Sequence, residues 1–311
     1  MTKPYFSIVS PVYRAEKILP ELVRRIELSV SEITSEFEII FVEDCGPDNS
    51  WEVIESLSQF NSRIKGFKLS RNFGQHYAIT CALDHAKGDW VVVMDCDLQD
   101  RPEEIGRLYE KALESKADIV LAKRKNRKDS WLNRLTSKLF YSFLASLTGW
   151  KYDSSVANFG IYSKNVIDNY NRLREPIRVF PVMINWLGFK TYFLEVEHAL
   201  REEGKSSYTL RKRLRLALDI VLAFSDKPLR ILVKLGLVIS MSSFVFAAVV
   251  VIRYFLGQIT VSGYASLIAS IWFLSGLIIF TLGIVGLYVG KIFDGVKNRP
   301  LYVVSKQINN N

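Results

Sequence analysis

Histidine and cysteine are scarce in this chain, with three residues of each among 311. Cys45, Cys81 and Cys96 lack the spacing of a zinc site, and they are expected to stay reduced rather than to form a disulfide framework. The stretch MTKPYFSIVSPVY at the amino end contains no apolar run long enough for a signal peptide. We therefore expect the region that follows it to remain in the compartment where it is synthesised.

Long apolar runs are absent from most of the chain and occur only at residues 235–252 and 265–289, neither of which contains a charged residue. As helices rising about 1.5 Å per residue, they would reach roughly 27 and 37 Å, against a hydrocarbon core about 30 Å thick. The connection between the runs carries only Arg253. Cations precede the first run and follow the second: Lys227, Arg230, Lys234, Lys291, Lys297 and Arg299. This pattern predicts a two-helix membrane hairpin with both ends cytoplasmic, and the alternative is a pair of buried helices in a soluble protein.

Positive charge exceeds negative charge, with a formal net charge of +9. Five cations fall within residues 123–128, and basic amphipathic patterns run through residues 130–150 and 208–224. Basic stretches bind nucleic acid in some proteins, but amphipathic segments next to membrane candidates favour an anionic lipid surface. We therefore expect a lipid bilayer as a partner and no nucleic acid. Ordinary core-facing helices are the alternative for the two amphipathic segments.

Strand and helix patterns alternate along the amino-terminal part of the chain. Short apolar strands are expected at YFSIVSPVY, FEIIFVED, IKGFKLS and DWVVVMD, and the segments between them have helical spacing. Pro20 falls in the first turn of the first helix, where proline is tolerated, and the second helix is expected to begin near Asp48 or Asn49. This alternation predicts an α/β domain with a mostly parallel sheet and helices on both faces.

Candidate binding residues end or follow each of these four strands, at the edge where parallel sheets bind ligands. In chain order they are Pro11, Tyr13, Glu43, Asp44, Arg71, Asn72, Asp95 and Asp97. Asp95, Asp97 and Gln99 supply hard oxygen atoms of the kind that Mg²⁺ or Mn²⁺ binds together with phosphate. The sequence therefore predicts a site for a divalent cation and a diphosphate group. Helix capping is the alternative role for the acidic residues.

Four motifs, SIVSPVYRAEKIL, IIFVEDCGPDNS, RNFGQHYAI and VVVMDCDLQDRPEEI, resemble in order and spacing the motifs of family 2 inverting glycosyltransferases. The later segment beginning GFKTYFLEVEHALREEGKSSY, with two apolar runs after it, is similar to the polyprenyl-phosphate branch of that family. The resemblance covers nearly the whole chain. It implies a nucleotide-sugar-binding domain of the GT-A type, interfacial amphipathic helices and two carboxyl-terminal transmembrane helices.

The resemblance also implies roles for the residues at the strand ends. Pro11, Tyr13 and Glu16 would surround the nucleoside of the donor, and Asp44 would hydrogen-bond its base with Arg71 nearby. Asp95 and Asp97 would lie at the diphosphate and the metal ion, with Gln99 as a further ligand. The expected donor is a UDP-sugar, although a carboxylate accepts an imide N–H of uracil, thymine or guanine equally well.

The acceptor implied by the resemblance is polyprenyl phosphate, the undecaprenyl form in bacteria. The positions associated with acceptor or donor phosphate are Arg124, Arg201, Lys205 and Ser207. A phosphate monoester is already an anion and can attack the anomeric carbon without a general base. In one respect the chain departs from the family pattern, because Asn158 stands where relatives commonly have an acid. Asp153, five residues earlier, is a candidate to replace that acid, although its register does not match the family pattern.

These observations predict a glycosyltransferase of the bacterial inner membrane with its catalytic domain in the cytoplasm. Residues 1–128 would form the nucleotide-sugar core, 129–226 the rest of the catalytic domain and acceptor region, 227–292 the membrane hairpin, and 293–311 a cytoplasmic tail. Transfer to a hydroxyl of a lipid-linked saccharide and a non-catalytic membrane scaffold are the alternatives. The sequence predicts neither the sugar nor the oligomeric state, and a homo-oligomer is compatible with it.

Overall fold

A computed structural model describes residues 3–124, 156–196, 225–257 and 263–309. The described residues belong to two compact units. One is an α/β unit made from the two earlier ranges together with residues 299–309, and the other contains the remaining, helical part of the chain. The predicted amphipathic segments at 130–150 and 208–224 lie outside the described residues.

The α/β unit contains an eight-stranded sheet with the order β7-β5-β6-β4-β1-β2-β3-β8 in the described part of the chain. The strands are β1 Phe6–Val12, β2 Phe37–Glu43, β3 Ile64–Leu69, β4 Trp90–Val93, β5 Ile119–Arg124, β6 Val156–Ser163, β7 Thr191–Val196 and β8 Val304–Ile308. Every residue of β1 and β2 is buried, as the nearly continuous apolar sequence of a central parallel strand predicts.

Helices cover the sheet and explain the burial of its central strands. They are α1 Leu19–Ser31, α2 Ser50–Phe60, α3 Gln75–His85, α4 Ile105–Ser115, α5 Lys164–Arg172 and α6 Phe180–Trp186. In α1 the buried side chains recur at Leu19, Leu22, Ile26 and Val30, which forms one apolar face, and Pro20 lies in the first turn as predicted. Helix α2 begins at Ser50, with Asn49 as its N-cap residue.

The sheet is mixed rather than uniformly parallel. Strands β4, β1, β2 and β3 are parallel neighbours, so the prediction made from the amino-terminal alternation is confirmed for this part. Strand β6 runs antiparallel between β4 and β5, and β8 runs antiparallel along β3. The parallel strands place their carboxyl ends at one edge of the sheet, where the predicted polar residues follow.

The second unit contains two long helices, α7 Lys227–Phe255 and α8 Tyr264–Val296. The hydroxyl group of Tyr288 in α8 donates a hydrogen bond of 2.8 Å to the carbonyl oxygen of Ser225, just before α7. Among the described residues, one stretch, Ser270–Val296 with a mean hydropathy of 2.1, is long and apolar enough to cross a membrane. Residues 235–252 are helical, as predicted, and a membrane role for them remains a proposal.

Strand β8 is a feature that the sequence analysis did not predict. The region 293–311 was expected to be a tail, but residues 299–309 belong to the α/β unit, and β8 forms one edge of the described sheet. The burial pattern of β8 explains why it gave no signal, because its three central residues are exposed and only its end residues are partly buried.

Candidate active site

The turn after β4 places the predicted acidic pair at the carboxyl edge of the sheet. Asp95 and Asp97 are both partly buried. Leu98, which lies between Asp97 and Gln99, is buried and has a φ of 57°. The backbone N–H of Gln99 donates to Oδ1 of Asp97 at 3.2 Å, and the N–H of Asp95 donates to Oδ2 of buried Asp100 at 3.2 Å. The turn is therefore held by its own carboxylates and has a defined conformation.

The first residue of α3 contacts this turn directly. The side-chain amide of Gln75 donates a hydrogen bond of 2.7 Å to Oδ1 of Asp95. Groups that hydrogen-bond a carboxylate fix its orientation and tune its affinity for a cation. Sequence reasoning missed this role of Gln75, because only the positions of α3 and β4 in the folded sheet bring the two side chains together.

The chemistry of the donor set fits a divalent cation. Asp95, Asp97 and Gln99 offer carboxylate and amide oxygen atoms, which suit Mg²⁺ or Mn²⁺. Within the described ranges, no cluster of three or more histidine, cysteine or acidic residues is arranged to hold a metal ion unaided. Mg²⁺ commonly combines one or two carboxylates with phosphate oxygens of a substrate, a ligand set that Asp95 and Asp97 could share.

Asp44, at the end of β2, is buried and bound to the loop before α3. Its Oδ1 accepts the N–H of Phe73 at 2.7 Å, and its Oδ2 accepts the N–H of Gly74 at 2.8 Å. Burial raises the pKa of Asp44 above its usual range, while the two N–H groups act in the opposite direction. In this structure both carboxylate oxygens of Asp44 hold a loop, and the role predicted for it at a base stays a prediction.

The neighbouring Glu43 has a comparable environment. Its carboxylate accepts the N–H of Gly46, and Lys68 Nζ lies 4.0 Å from its Oε2. Burial raises the pKa of Glu43, whereas Gly46 and Lys68 lower it to a smaller extent. Both residues thus bind backbone N–H groups of nearby loops, a contact different from the helix capping considered as their alternative role.

The remaining donor-side candidates lie around the same edge. Glu16 Oε2 accepts the N–H of Asn49 at 3.0 Å, and the N–H of Glu16 donates to Asp48 Oδ2 at 3.2 Å. This pair of bonds joins the end of β1 to the start of α2. Pro11 lies within β1 and is buried.

Two aromatic–cation pairs are exposed near this edge. Tyr13, just after β1, is 45% exposed, and the guanidinium of Arg14 lies 5.4 Å from the centre of its ring. The guanidinium of exposed Arg71 lies 4.5 Å from the centre of the Phe73 ring. Both residues singled out by the sequence, Tyr13 and Arg71, are therefore accessible to a ligand, and planar groups of this kind stack readily on a base.

The structure does not place every predicted site residue. Arg124 is the last residue of β5, but its side chain is not among those described. Asp153, Arg201, Lys205 and Ser207 lie outside the described residues. Their assignments to the acceptor or to catalysis stay predictions. Asn158 lies in β6 and is partly buried.

A polar cluster that includes residues of α3 was also missed by sequence reasoning, which assigned no role to the histidines. His76 Nδ1 accepts the N–H of Phe180 at 3.4 Å, and Thr80 Oγ1 donates to the carbonyl of His76 at 2.7 Å. The buried Arg178 donates from Nε to Thr80 Oγ1 at 3.1 Å. Burial, followed by the positive charge of Arg178, lowers the pKa of His76 to about 4.

This shift gives His76 a measurable influence on stability. Its folded pKa of about 4 lies below the usual 6.5, so the unfolded chain binds more protons between these values and stability is lost as pH falls from 6.5 towards 4. Between about pH 7 and about pH 5, the parent chain is expected to lose about 1 to 2 kcal/mol more unfolding free energy than His76→Gln. Denaturant unfolding in detergent, followed by tryptophan fluorescence, measures this difference. Equal losses in the two chains would contradict a neutral His76 in the folded enzyme.

The described sheet, with paired aspartates after the strand beside β1, has the mixed α/β architecture of a GT-A type domain. The chain matches the family model for glycosyl transferase family 2 over residues 7–173. This protein therefore belongs to glycosyl transferase family 2 and is a glycosyltransferase.

Two curated relatives match almost the full length. The "Uncharacterized glycosyltransferase YkcC" of Bacillus subtilis (strain 168) is 33% identical over 301 residues, covering 97% of this chain and 93% of the relative. The "Undecaprenyl-phosphate 4-deoxy-4-formamido-L-arabinose transferase" of Proteus mirabilis (strain HI4320) is 33% identical over 305 residues, with the same two coverages of 97% and 93%. Their similarity supports assignment to the polyprenyl-phosphate branch of the family.

A solved structure shares the fold. Glucosyl-3-phosphoglycerate synthase from Mycobacterium tuberculosis, in complex with Mn²⁺, uridine diphosphate and phosphoglyceric acid, superposes with a TM-score of 0.50. It is 14% identical and covers 71% of this chain and 77% of that one. At this identity the likeness establishes the architecture of the α/β unit, and the substrates of the two proteins are separate questions.

Proposed function

We propose that this enzyme transfers a sugar, with inversion, from a nucleotide diphosphate donor to polyprenyl phosphate at the bacterial inner membrane. The observation that carries the proposal is the full-length similarity to the Proteus mirabilis enzyme, whose name specifies an undecaprenyl-phosphate acceptor. The acidic turn after β4 supports it, because the paired carboxylates of Asp95 and Asp97 could bind the cation that accompanies a diphosphate group. A UDP-sugar is the proposed donor.

On the donor side, the chain's own residues orient the leaving group. Gln75 holds Oδ1 of Asp95, and the bond from Gln99 N–H to Asp97 fixes the second carboxylate. Bound Mg²⁺ or Mn²⁺ would neutralise charge that develops on the departing diphosphate. Tyr13 and Arg71, both exposed, are proposed to contact the nucleoside and to keep the diphosphate over this turn.

On the acceptor side, a phosphate oxygen attacks the anomeric carbon of the sugar. One carbon–oxygen bond forms on the face opposite the breaking bond, and the nucleoside diphosphate leaves with the electron pair of that bond. The acceptor is anionic before the reaction, so no residue has to remove a proton. Asn158 agrees with this scheme, because an amide cannot act as a base. Arg124, Arg201, Lys205 and Ser207 are proposed to hold the phosphate.

A product assay tests the proposal. Purified full-length enzyme is incubated with undecaprenyl phosphate, Mg²⁺ or Mn²⁺, and a panel of UDP-, GDP- and dTDP-sugars, and the lipid fraction is read by mass spectrometry. We expect one sugar to give a polyprenyl monophosphate sugar. A full panel that gives no glycosylated lipid, while any of these donors is turned over onto another acceptor, would reject the proposed acceptor.

We also propose that α7 and α8 form a two-span membrane hairpin with the α/β unit in the cytoplasm. Cations lie at both outer ends of the hairpin, before residue 235 and after residue 289, and the positive-inside rule keeps such ends cytoplasmic. A tag inserted at Gly257 is therefore expected to be labelled from the periplasm, and a reporter fused after Asn311 to be active in the cytoplasm. The reverse pattern would contradict cytoplasmic ends, and both sites on one side of the membrane would exclude two spans.

A further inference from the structure

The strand that follows α8 is bonded to the part of β3 that leads into the candidate donor site. Strand β8 pairs antiparallel with β3, and the register shifts between Lys68 and Leu69. Ser305 is the residue passed over by this shift, and its hydroxyl group donates to the carbonyl oxygens of Lys68 at 3.0 Å and Leu69 at 3.3 Å. The N–H of Ser70, beyond the end of β3, donates to the carbonyl of Val303 at 2.8 Å.

The same terminal segment is anchored to α3. The hydroxyl group of Tyr302 donates to Oδ2 of Asp84 at 2.7 Å, and the two terminal nitrogens of Arg174 bind the same carboxylate at 2.8 and 2.9 Å. Burial and the neighbouring Cys81 and Asp84 raise the pKa of Tyr302, so its hydroxyl group stays protonated and donates. Residues 302–305 thus contact both β3 and α3, the two elements on either side of one loop.

That loop, residues 70–74, is a functional part of the candidate site. Arg71 projects from it as an exposed guanidinium, and the loop ends where Gln75 begins α3 and contacts Asp95. The carboxylate of Asp44 accepts the N–H groups of Phe73 and Gly74, the last two residues of this loop. The loop is therefore fixed from one side by Asp44 and from the other by the terminal segment.

We propose that Tyr302 and Ser305 are positioning residues for the donor site, which they affect through the loop at residues 70–74. This inference rests on the proposed function, because it assigns the loop a role in binding a nucleoside diphosphate. Neither residue would touch the donor. Each acts by setting where Arg71 and Gln75 lie, and displacements of about 1 Å at a binding group are enough to change its contribution severalfold or more.

The test compares Tyr302→Phe/Ser305→Ala with Asn309→Ala in the full-length enzyme. Asn309 follows the same strand and donates to the carbonyl oxygens of Ser58 and Ile64, at the end of β3 away from the loop, so it provides a matched control. In the double variant we expect the donor KM and the Kd for UDP to rise at least about fivefold, with kcat within about twofold. The control is expected to leave both constants unchanged.

Hydrogen exchange supplies a readout that does not depend on the proposed function. The amides of Phe73 and Gly74 are expected to exchange at least about fivefold faster in the double variant and at the parent rate in Asn309→Ala. Unchanged exchange and unchanged UDP affinity in the double variant would overturn the inference. Equal effects in the control would overturn it too, because they would indicate general loosening of β8. If the double variant shows the exchange difference but the parent enzyme binds no UDP, GDP or dTDP, the proposed function would be rejected instead.

Discussion

Replacing Asp97 with asparagine is expected to lower the rate of sugar transfer by about a hundredfold to a thousandfold, because it removes a charge that stabilises the diphosphate leaving group through its cation. The fold is expected to survive. Asp97 is partly buried, and its Oδ1 accepts the N–H of Gln99 in the turn, which an asparagine oxygen can also do. The effect should therefore appear in activity and not in stability.

Three measurements separate these effects. Initial rates with saturating donor give the loss of transfer, thermal denaturation shows whether the variant remains folded, and titration of Mn²⁺ in the presence of UDP measures cation binding directly. Glu103→Gln is a suitable control, because it also neutralises one carboxylate, but Glu103 pairs with Arg25 at an exposed position. Full activity of the parent enzyme in excess chelator would contradict the assignment of Asp95, Asp97 and Gln99 to a divalent cation.

Replacing polyprenyl phosphate with the corresponding polyprenol is expected to abolish transfer, although the alcohol still enters the membrane. A hydroxyl group is protonated near neutral pH and attacks only if a base removes its proton, whereas a phosphate monoester is already an anion. Asn158 cannot supply that base.

Arg201→Ala is expected to weaken binding of the lipid phosphate by about 1.5 to 3 kcal/mol, while donor binding stays unchanged. This loss is typical of a charge-assisted hydrogen bond.

Mass spectrometry of the lipid product checks both expectations, and a sugar phosphodiester should also be labile to mild acid. Lys65 provides a charge-matched control for Arg201, because it is a buried cation paired with Glu38 at 2.6 Å and belongs to no predicted substrate site. A Lys65→Met variant that stays folded should retain the parent affinity for the lipid. Efficient glycosylation of the free polyprenol would show that the enzyme activates a hydroxyl group, and Asp153 would then be the first candidate base to replace.

The amino-terminal part of the fold was predictable because its signals are local. Val91, Val92 and Val93 form a continuous apolar run that is fully buried in β4, and the acids that follow it necessarily lie at the edge of the sheet. The apolar run and the aspartates after it are adjacent in the sequence. The prediction of an acidic site beyond a buried strand therefore needed no knowledge of distant contacts.

The parts that escaped prediction depend on contacts between distant residues. The contact of Gln75 with Asp95 is set by how α3 and β4 are placed, and Asp44 acquires its partners from a loop that follows the next strand. Strand β8 has no apolar alternation of its own, because it adds to an edge through backbone pairing and exposes most of its side chains. The hydrophobic pattern of a sequence indicates which residues are buried, but it does not indicate which distant residues contact one another.

The position of β8 in the chain also sets an order of events during synthesis. Both long helices are made after β7 and before β8, so the α/β unit is interrupted in sequence by the segment proposed to enter the membrane. Until β8 emerges from the ribosome, the edge of β3 has no strand to cover it, and uncovered edges are prone to pair with other chains. The nascent enzyme therefore has an unpaired β3 edge throughout the synthesis of α7 and α8. The time needed to translate the two helices and β8 therefore sets how long ribosome-bound copies are exposed to such pairing.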